Sequence, residues 1–170
     1  EVSAHIPQGA TAGRPHIAHI LIEKGYFPDT SAAFAGPLRA DGPYHVPHYA
    51  PRLAEGIRIL SEAGAVPILA HPYTGGRSGA INHQLDAAEI LGGYRALAEQ
   101  GIAGLEIHHR ENTQEGKEVL GLVAKELNFI VTGSSDFHGS KKPNVLGENT
   151  TTEEEFHRIL AAATGSEPLR

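Results

Sequence analysis

Three predicted strands each end in residues that can bind metal ions or transfer protons: His71 after the first, His108 and His109 at the second, Asp136 and His138 after the third. Because the carboxyl ends of parallel strands meet at one edge of a sheet, we expect these side chains to lie together. The chain has no cysteine, so any metal must be held by imidazole or carboxylate groups. Such a mixed ligand set suits manganese, zinc or iron.

Asp136 and His138 are two positions apart, which in extended backbone turns both side chains the same way and Phe137 into the packing. This spacing favours a shared metal cluster. The alternative is that Ser135 and Asp136 cap a turn and that His138 is solvated. His71 alone is about as often a hydrogen-bonded structural residue as a ligand.

Arg14 and His16 flank Pro15 directly after Gly13, where a helix is predicted to begin. The backbone N–H groups of a helix amino terminus favour an anion, and the Arg14 guanidinium could grip a phosphate or carboxylate there. The alternative to an anion-binding site, at least as well supported by the spacing, is a surface arginine beside a proline that starts a helix.

From Pro51 onward, the segments that must position these residues alternate between predicted helices and predicted strands. This alternation is typical of βα units on a parallel sheet. We predict a first helix from Pro51 to Gly64, and then strand 66–70, helix 85–99, strand 104–108, a helix capped by Thr113, strand 129–132 and helix 153–163. Before Pro51 we predict only short helices, 14–24 and 30–34, between prolines. Residues 1–48 are therefore interpreted as a small helical insertion or cap, and 49–170 as the βα units.

The composition and motifs of the chain argue against several classes of function. A chain of 170 residues with a net charge of −6 and no basic cluster does not suit a groove for long duplex nucleic acid. Its apolar runs are too short for a membrane span, and no G-x-S-x-G serine elbow is present. We expect a cytoplasmic enzyme, and the absence of methionine suggests a fragment or processed chain.

Four segments resemble, in order and spacing, the polymerase and histidinol phosphatase (PHP) family of metal-dependent phosphoesterases: Gly13–Ala18, Ile68–Pro72, Gly104–Ile107 and Thr132–Gly139. The resemblance runs over nearly the whole chain. Its most specific parts are the Ala-His-Pro and Ser-Asp-Phe-His-Gly motifs. The nearest branch acts on nucleotide phosphates and short 5'-phosphorylated oligonucleotides.

This resemblance implies an α/β fold, as part of a distorted seven-stranded (βα) barrel, with two or three divalent metal ions (Mn, Zn or Fe) in the intact protein. His71, Asp136 and His138 would each be a ligand of a different metal. Arg14 and His16 match an insertion loop that grips the substrate phosphate. His108 and His109 would line the site as substrate neighbours.

The chain departs from the family at its beginning. The family's opening His-x-His pair and the aspartate, histidine and glutamate ligands that follow it are absent, and Glu1 and His5 do not reproduce their spacing. We therefore expect the carboxyl-terminal part of a longer protein, with the missing amino-terminal segment as its partner. Three ligands spread over three metals bind weakly, so we expect the fragment alone to be inactive.

The predicted activity of the intact protein is hydrolysis of nucleotide bisphosphates or short 5'-phosphorylated oligonucleotides. Asp136 would hold metal and relay a proton, and a neutral His16 or His108 would assist the leaving oxygen. One alternative is a catalytically silent domain that binds phosphate or nucleotide or assembles with the missing half. Another is an amidohydrolase-like enzyme.

Overall fold

A computed structural model describes residues 2–6, 13–39, 41–46, 49–74, 81–137 and 143–166, and the chain divides into two compact units, Glu1–Ala50 and Pro51–Arg170. The first unit contains a 3-10 helix, Val2–His5, and two α-helices, α1 (Arg14–Glu23) and α2 (Thr30–Ala35). Its small core packs three buried side chains, Ala18, Ala33 and Leu38.

Local sequence explains both helices of this unit. Pro15 lies in the first turn of α1, where its missing N–H has no helical partner to lose. The carboxylate of Asp29 accepts a hydrogen bond of 2.8 Å from the N–H of Ala32 and so caps α2. The helices predicted over 14–24 and 30–34 are confirmed to within one residue at each end.

The second unit alternates helices with strands: α3 (Leu53–Glu62), β1 (Ile68–Leu69), α4 (Ala87–Glu99), β2 (Gly104–His108), α5 (Gln114–Leu127), β3 (Ile130–Gly133) and α6 (Glu153–Ala162). The strands form a parallel sheet in the order β1-β2-β3. Gly104 pairs with Ile68 on one side and Ile130 on the other, so β2 lies at the centre of the described sheet.

Three helices of this unit, α4, α5 and α6, begin where side chains satisfy their first N–H groups. Asp86 and Glu89 form a reciprocal capping box at α4, and Thr113 and Thr152 cap α5 and α6. Helices α4 and α5 each follow one strand and lead to the next, and they cover one face of the sheet. The core of the second unit contains the fully buried Tyr94, Leu105 and Leu120.

Several predicted bounds need correction. Pro51 precedes the first helix, which begins at Leu53 after Arg52, and β1 is confined to two residues within the predicted strand 66–70. Strand β2 is confirmed as predicted, and β3 begins and ends one residue later than expected. The described residues form three parallel strands of an α/β fold, and they contain no helix long and apolar enough to cross a membrane.

Gly116 in α5 is a helical position where a side chain would strike the segment after β1. A Cβ at Gly116 would collide with the Tyr73 ring near its root, whereas a Cβ at Gly121 in the same helix would meet nothing. We expect Gly116→Ala to lower the free energy of unfolding by about 1–3 kcal/mol. Gly121→Ala should raise it by about 0.5–1 kcal/mol through helix propensity. Urea unfolding of both variants checks this, and equal stabilisation would contradict the contact.

Candidate functional site

His71 follows β1 in an unusual backbone conformation. Its φ is 29°, in the region that non-glycine residues rarely adopt, and it is half-buried. The backbone N–H of His71 donates a hydrogen bond of 3.0 Å to Oε2 of Glu106. The backbone of the residue predicted to ligate metal is therefore held by a carboxylate 35 positions further along the chain.

Glu106 lies within one of the four segments that carry the family resemblance, but the sequence did not predict it as a site residue. On β2 it lies between Leu105 and Ile107, which are buried in the core, and it is itself half-buried. Alternation along a strand turns its side chain to the opposite face from these neighbours. A carboxylate inside an otherwise apolar strand was the signal that could have found it.

His109, directly after β2, is fully buried. Its ring lies 4.8 Å from that of His71, centroid to centroid, which is a direct contact between two predicted site residues. The N–H of Glu111 donates a hydrogen bond of 3.1 Å to Nδ1 of His109. Within the described part of the chain, Nε2 of His109 is buried and has no hydrogen-bond partner.

Asn112 is a second residue that sequence reasoning missed. It is 3% exposed, and its Nδ2 donates to the backbone oxygens of Glu106 (3.0 Å) and Ile107 (2.9 Å). Its Oδ1 accepts a hydrogen bond of 3.1 Å from the N–H of Tyr73. One amide therefore ties the segment after β1 to the end of β2.

Asp136 lies three positions beyond β3 and has a φ of 48°, so the extended backbone expected from its spacing is wrong. Phe137 was expected to point into the packing, and it is instead 49% exposed. Extended geometry fails because the strand ends at Gly133 and the chain turns. His138 lies outside the described residues, so its predicted role as a ligand stays a prediction.

The backbone directly before Asp136 is held by the side chain of Asn144, and Glu148 nearby in the sequence is paired with Arg110. Nδ2 of the buried Asn144 donates to the backbone oxygen of Ser135 at 2.6 Å. Arg110 and Glu148 form a two-pronged ion pair with both N···O distances at 2.9 Å. The hydrogen bonds from Arg110 and from the N–H of Val145 hold the pKa of the Glu148 carboxyl below its usual value.

His108 ends β2, is exposed, and pairs with Gly133 across an irregularity in the β2–β3 register. The chain's next residue, His109, is by contrast buried, so the two neighbouring histidines have different environments. The predicted role of His108 as a substrate neighbour fits its exposure and stays a prediction.

Arg14 and His16 belong to the first unit. The guanidinium of Arg14 donates to the backbone oxygen of Leu38 at 3.0 Å and lies 5.2 Å from the centre of the Phe34 ring. Nδ1 of His16 accepts a hydrogen bond of 3.1 Å from the N–H of Gly13. Arg14 and His16, which were predicted to bind an anion, therefore already make hydrogen bonds within the first unit. Arg14 and Arg39 also line a cavity of about 370 Å³.

His83, which carried no predicted site role, is half-buried, and its Nε2 lies 2.8 Å from the Tyr94 hydroxyl. Burial lowers the pKa of His83, and burial together with the nearby Tyr73 raises the pKa of Tyr94. The pair is a structural contact between the segment before α4 and the middle of that helix, and the Tyr73 ring lies 4.1 Å from the His83 ring.

The described residues do not complete a metal centre by themselves: among them, no three histidine, aspartate or glutamate side chains come together in a way that could hold a metal ion. His71 and Asp136 have suitable donor atoms for a divalent ion. A complete centre at this sheet edge needs ligands from outside the described ranges.

Comparison with known proteins finds solved structures that are similar to this chain. No protein-family model matches the chain, and no curated protein matches it. A crystal structure from Bifidobacterium adolescentis, provisionally described as a metal-dependent phosphoesterase, is similar over 98% of this chain with 36% identity and a TM-score of 0.80. An amidohydrolase from Chromobacterium violaceum, with bound sulfate and no metal, is similar over 89% of this chain with 22% identity and a TM-score of 0.62. This chain spans 56% and 53% of the lengths of those two chains, respectively.

Proposed function

We propose that this chain is part of a metal-dependent hydrolase that acts on phosphate esters. The observation that carries the proposal is its similarity, along almost the whole chain, to the Bifidobacterium adolescentis protein described as a phosphoesterase. The names of both structural neighbours support a hydrolase in general, and that of the first supports the use of a divalent metal.

The finer proposal is membership of the PHP family, with a seven-stranded barrel of which this chain supplies the carboxyl-terminal strands. The three parallel strands, each followed by candidate site residues, are compatible with such a barrel. The chain matches little more than half of the Bifidobacterium protein, which supports the view that a longer protein carries the activity.

In this proposal His71, Asp136 and His138 hold divalent metal together with ligands from the rest of the protein. Bound metal lowers the pKa of a water molecule and neutralises charge at phosphorus. Glu106 keeps the His71 backbone in place through its 3.0 Å hydrogen bond.

The substrate proposed is a small phosphorylated molecule, a nucleotide bisphosphate or a short 5'-phosphorylated oligonucleotide, turned over in the cytoplasm. Arg14 and His16 would bind its phosphate, with His16 or His108 assisting the leaving oxygen. His108 and His109 would lie beside the substrate.

A second candidate function is metal-independent binding of phosphate or nucleotide without turnover. The observation that favours it is that the described residues bring no three candidate ligands together. Binding that survives removal of metal and is lost in Arg14→Ala would support this second function over hydrolysis.

The proposed function is tested by measuring phosphate release from a 3',5'-bisphosphonucleotide with Mn²⁺ and with a chelator. The chain as printed and the longer natural protein are assayed side by side. We expect Mn²⁺-dependent release by the longer protein and little or none by the chain alone. Release that is unchanged by the chelator, or turnover of amides with no turnover of phosphate esters, would overturn the proposal.

A further inference from the structure

The buried Nε2 of His109 is a side-chain polar atom of the second unit that has no hydrogen-bond partner among the described residues. The side chain is 0% exposed, and no described residue accepts from or donates to Nε2. Leaving a buried polar group without a hydrogen bond costs about 1–3 kcal/mol, so such groups point to a ligand or an ordered water.

The other ring nitrogen decides what kind of partner Nε2 can take. Nδ1 faces the N–H of Glu111 at 3.1 Å, and an N–H can only donate, so Nδ1 must present its lone pair. A neutral imidazole with a free lone pair on Nδ1 carries its proton on Nε2. Nε2 of His109 is therefore a donor.

A donor cannot be a metal ligand. Binding of a metal at Nε2 would move the proton to Nδ1, where it would oppose the N–H of Glu111. His109 is thus set apart from His71, whose ring lies 4.8 Å away and whose role in the proposed function is to bind metal.

We propose that Nε2–H of His109 donates a hydrogen bond to an oxygen of a phosphoryl group bound at this sheet edge. The ring is fixed on one side by the Glu111 N–H and contacts the tilted ring of His71. A fixed and buried donor is the arrangement that stabilises an oxyanion. The identity of the anion rests on the proposed function, whereas the donor assignment rests on the hydrogen bond alone.

The first test reads the proton directly in the unmodified chain. Long-range ¹H–¹⁵N spectra of the chain with ¹⁵N-labelled histidine are recorded alone and with added Zn²⁺. We expect the His109 signals to show a neutral ring protonated at Nε2 under both conditions. A lone pair on Nε2, or a Zn²⁺-dependent shift of the kind a directly bound nitrogen gives, would overturn the donor assignment.

The second test uses inorganic phosphate as the probe. With and without Mg²⁺, phosphate is expected to shift the Nε2 signal of His109, and His109→Phe should weaken phosphate binding about ten- to a hundredfold. His109→Gln keeps a donor and should recover part of the loss, and His157→Phe on exposed α6 is the control. A Nε2 signal that phosphate leaves unmoved would mean a buried water and would overturn the phosphoryl assignment.

These readouts involve no turnover. If no phosphate ester is hydrolysed but phosphate still shifts the Nε2 signal, the proposed function fails and this inference stands. If phosphate esters are hydrolysed but phosphate does not shift the Nε2 signal, the proposed function stands and this inference fails. Should His109→Phe fail to fold, the spectra of the unmodified chain still decide.

Discussion

Replacing Asp136 with asparagine is expected to lower metal-dependent phosphate release by the longer protein about a hundred- to a thousandfold. The change removes the negative charge with which Asp136 would hold a divalent ion, and metal ions contribute several kcal/mol to charge stabilisation in such reactions. A weakened metal centre also predicts that activity partly returns at high Mn²⁺ concentration. Phosphate release measured against Mn²⁺ concentration checks both expectations.

The local backbone makes Asp136→Asn a clean test. Asp136 has a φ of 48°, and asparagine is among the non-glycine residues that tolerate this left-handed region best. The preceding Ser135 keeps its hydrogen bond from Asn144, which does not involve the substituted side chain. We therefore expect the variant to keep its fold and lose its activity.

Asp29→Asn provides the matched control. Asp29 caps α2 in the first unit, and asparagine caps helices about as well, so that variant loses the same charge without losing a helix cap. Its phosphate release should equal that of the unmodified protein. An Asp136→Asn protein as active as this control would remove Asp136 from the metal site.

Much of the fold could be predicted because it is encoded locally. Asp29, Thr113 and Thr152 each begin a helix by accepting a hydrogen bond from the N–H three residues on, and such short-range contacts are visible in sequence. Strand β2 was predicted to the residue because its apolar run ends sharply in two histidines.

The site was less predictable because its geometry depends on distant residues and on backbone angles. The spacing of Asp136 and His138 was interpreted as extended chain, whereas φ values of 29° at His71 and 48° at Asp136 turn the segments after β1 and β3. Glu106 reaches His71 across 35 positions, and no periodicity reports such a contact. The burial of His109 beside the exposed His108 continues the alternation of β2 by one residue, a pattern that the prediction of both histidines as substrate neighbours did not use.

Removal of the Asn112 side chain is expected to have the largest effect on stability. Asn112→Ala should lower the free energy of unfolding by about 2–4 kcal/mol, because it leaves the Tyr73 N–H without an acceptor and takes a donor from two backbone oxygens. Urea unfolding measures the loss. Gln84→Ala, at an exposed amide, should change stability by no more than about 0.5 kcal/mol.

Asn112→Asp separates the lost hydrogen bonds from simple loss of packing. One oxygen can still accept from the Tyr73 N–H, but the other would face the backbone oxygens of Glu106 and Ile107 in a site only 3% exposed. Burial and these oxygens would raise the folded-state pKa of the introduced carboxyl above its unfolded value. The folded state then binds more protons, so this variant should be most stable at low pH and lose stability as pH rises through that pKa. If stability relative to the unmodified protein does not change with pH, the amide donor does not have the role assigned to it.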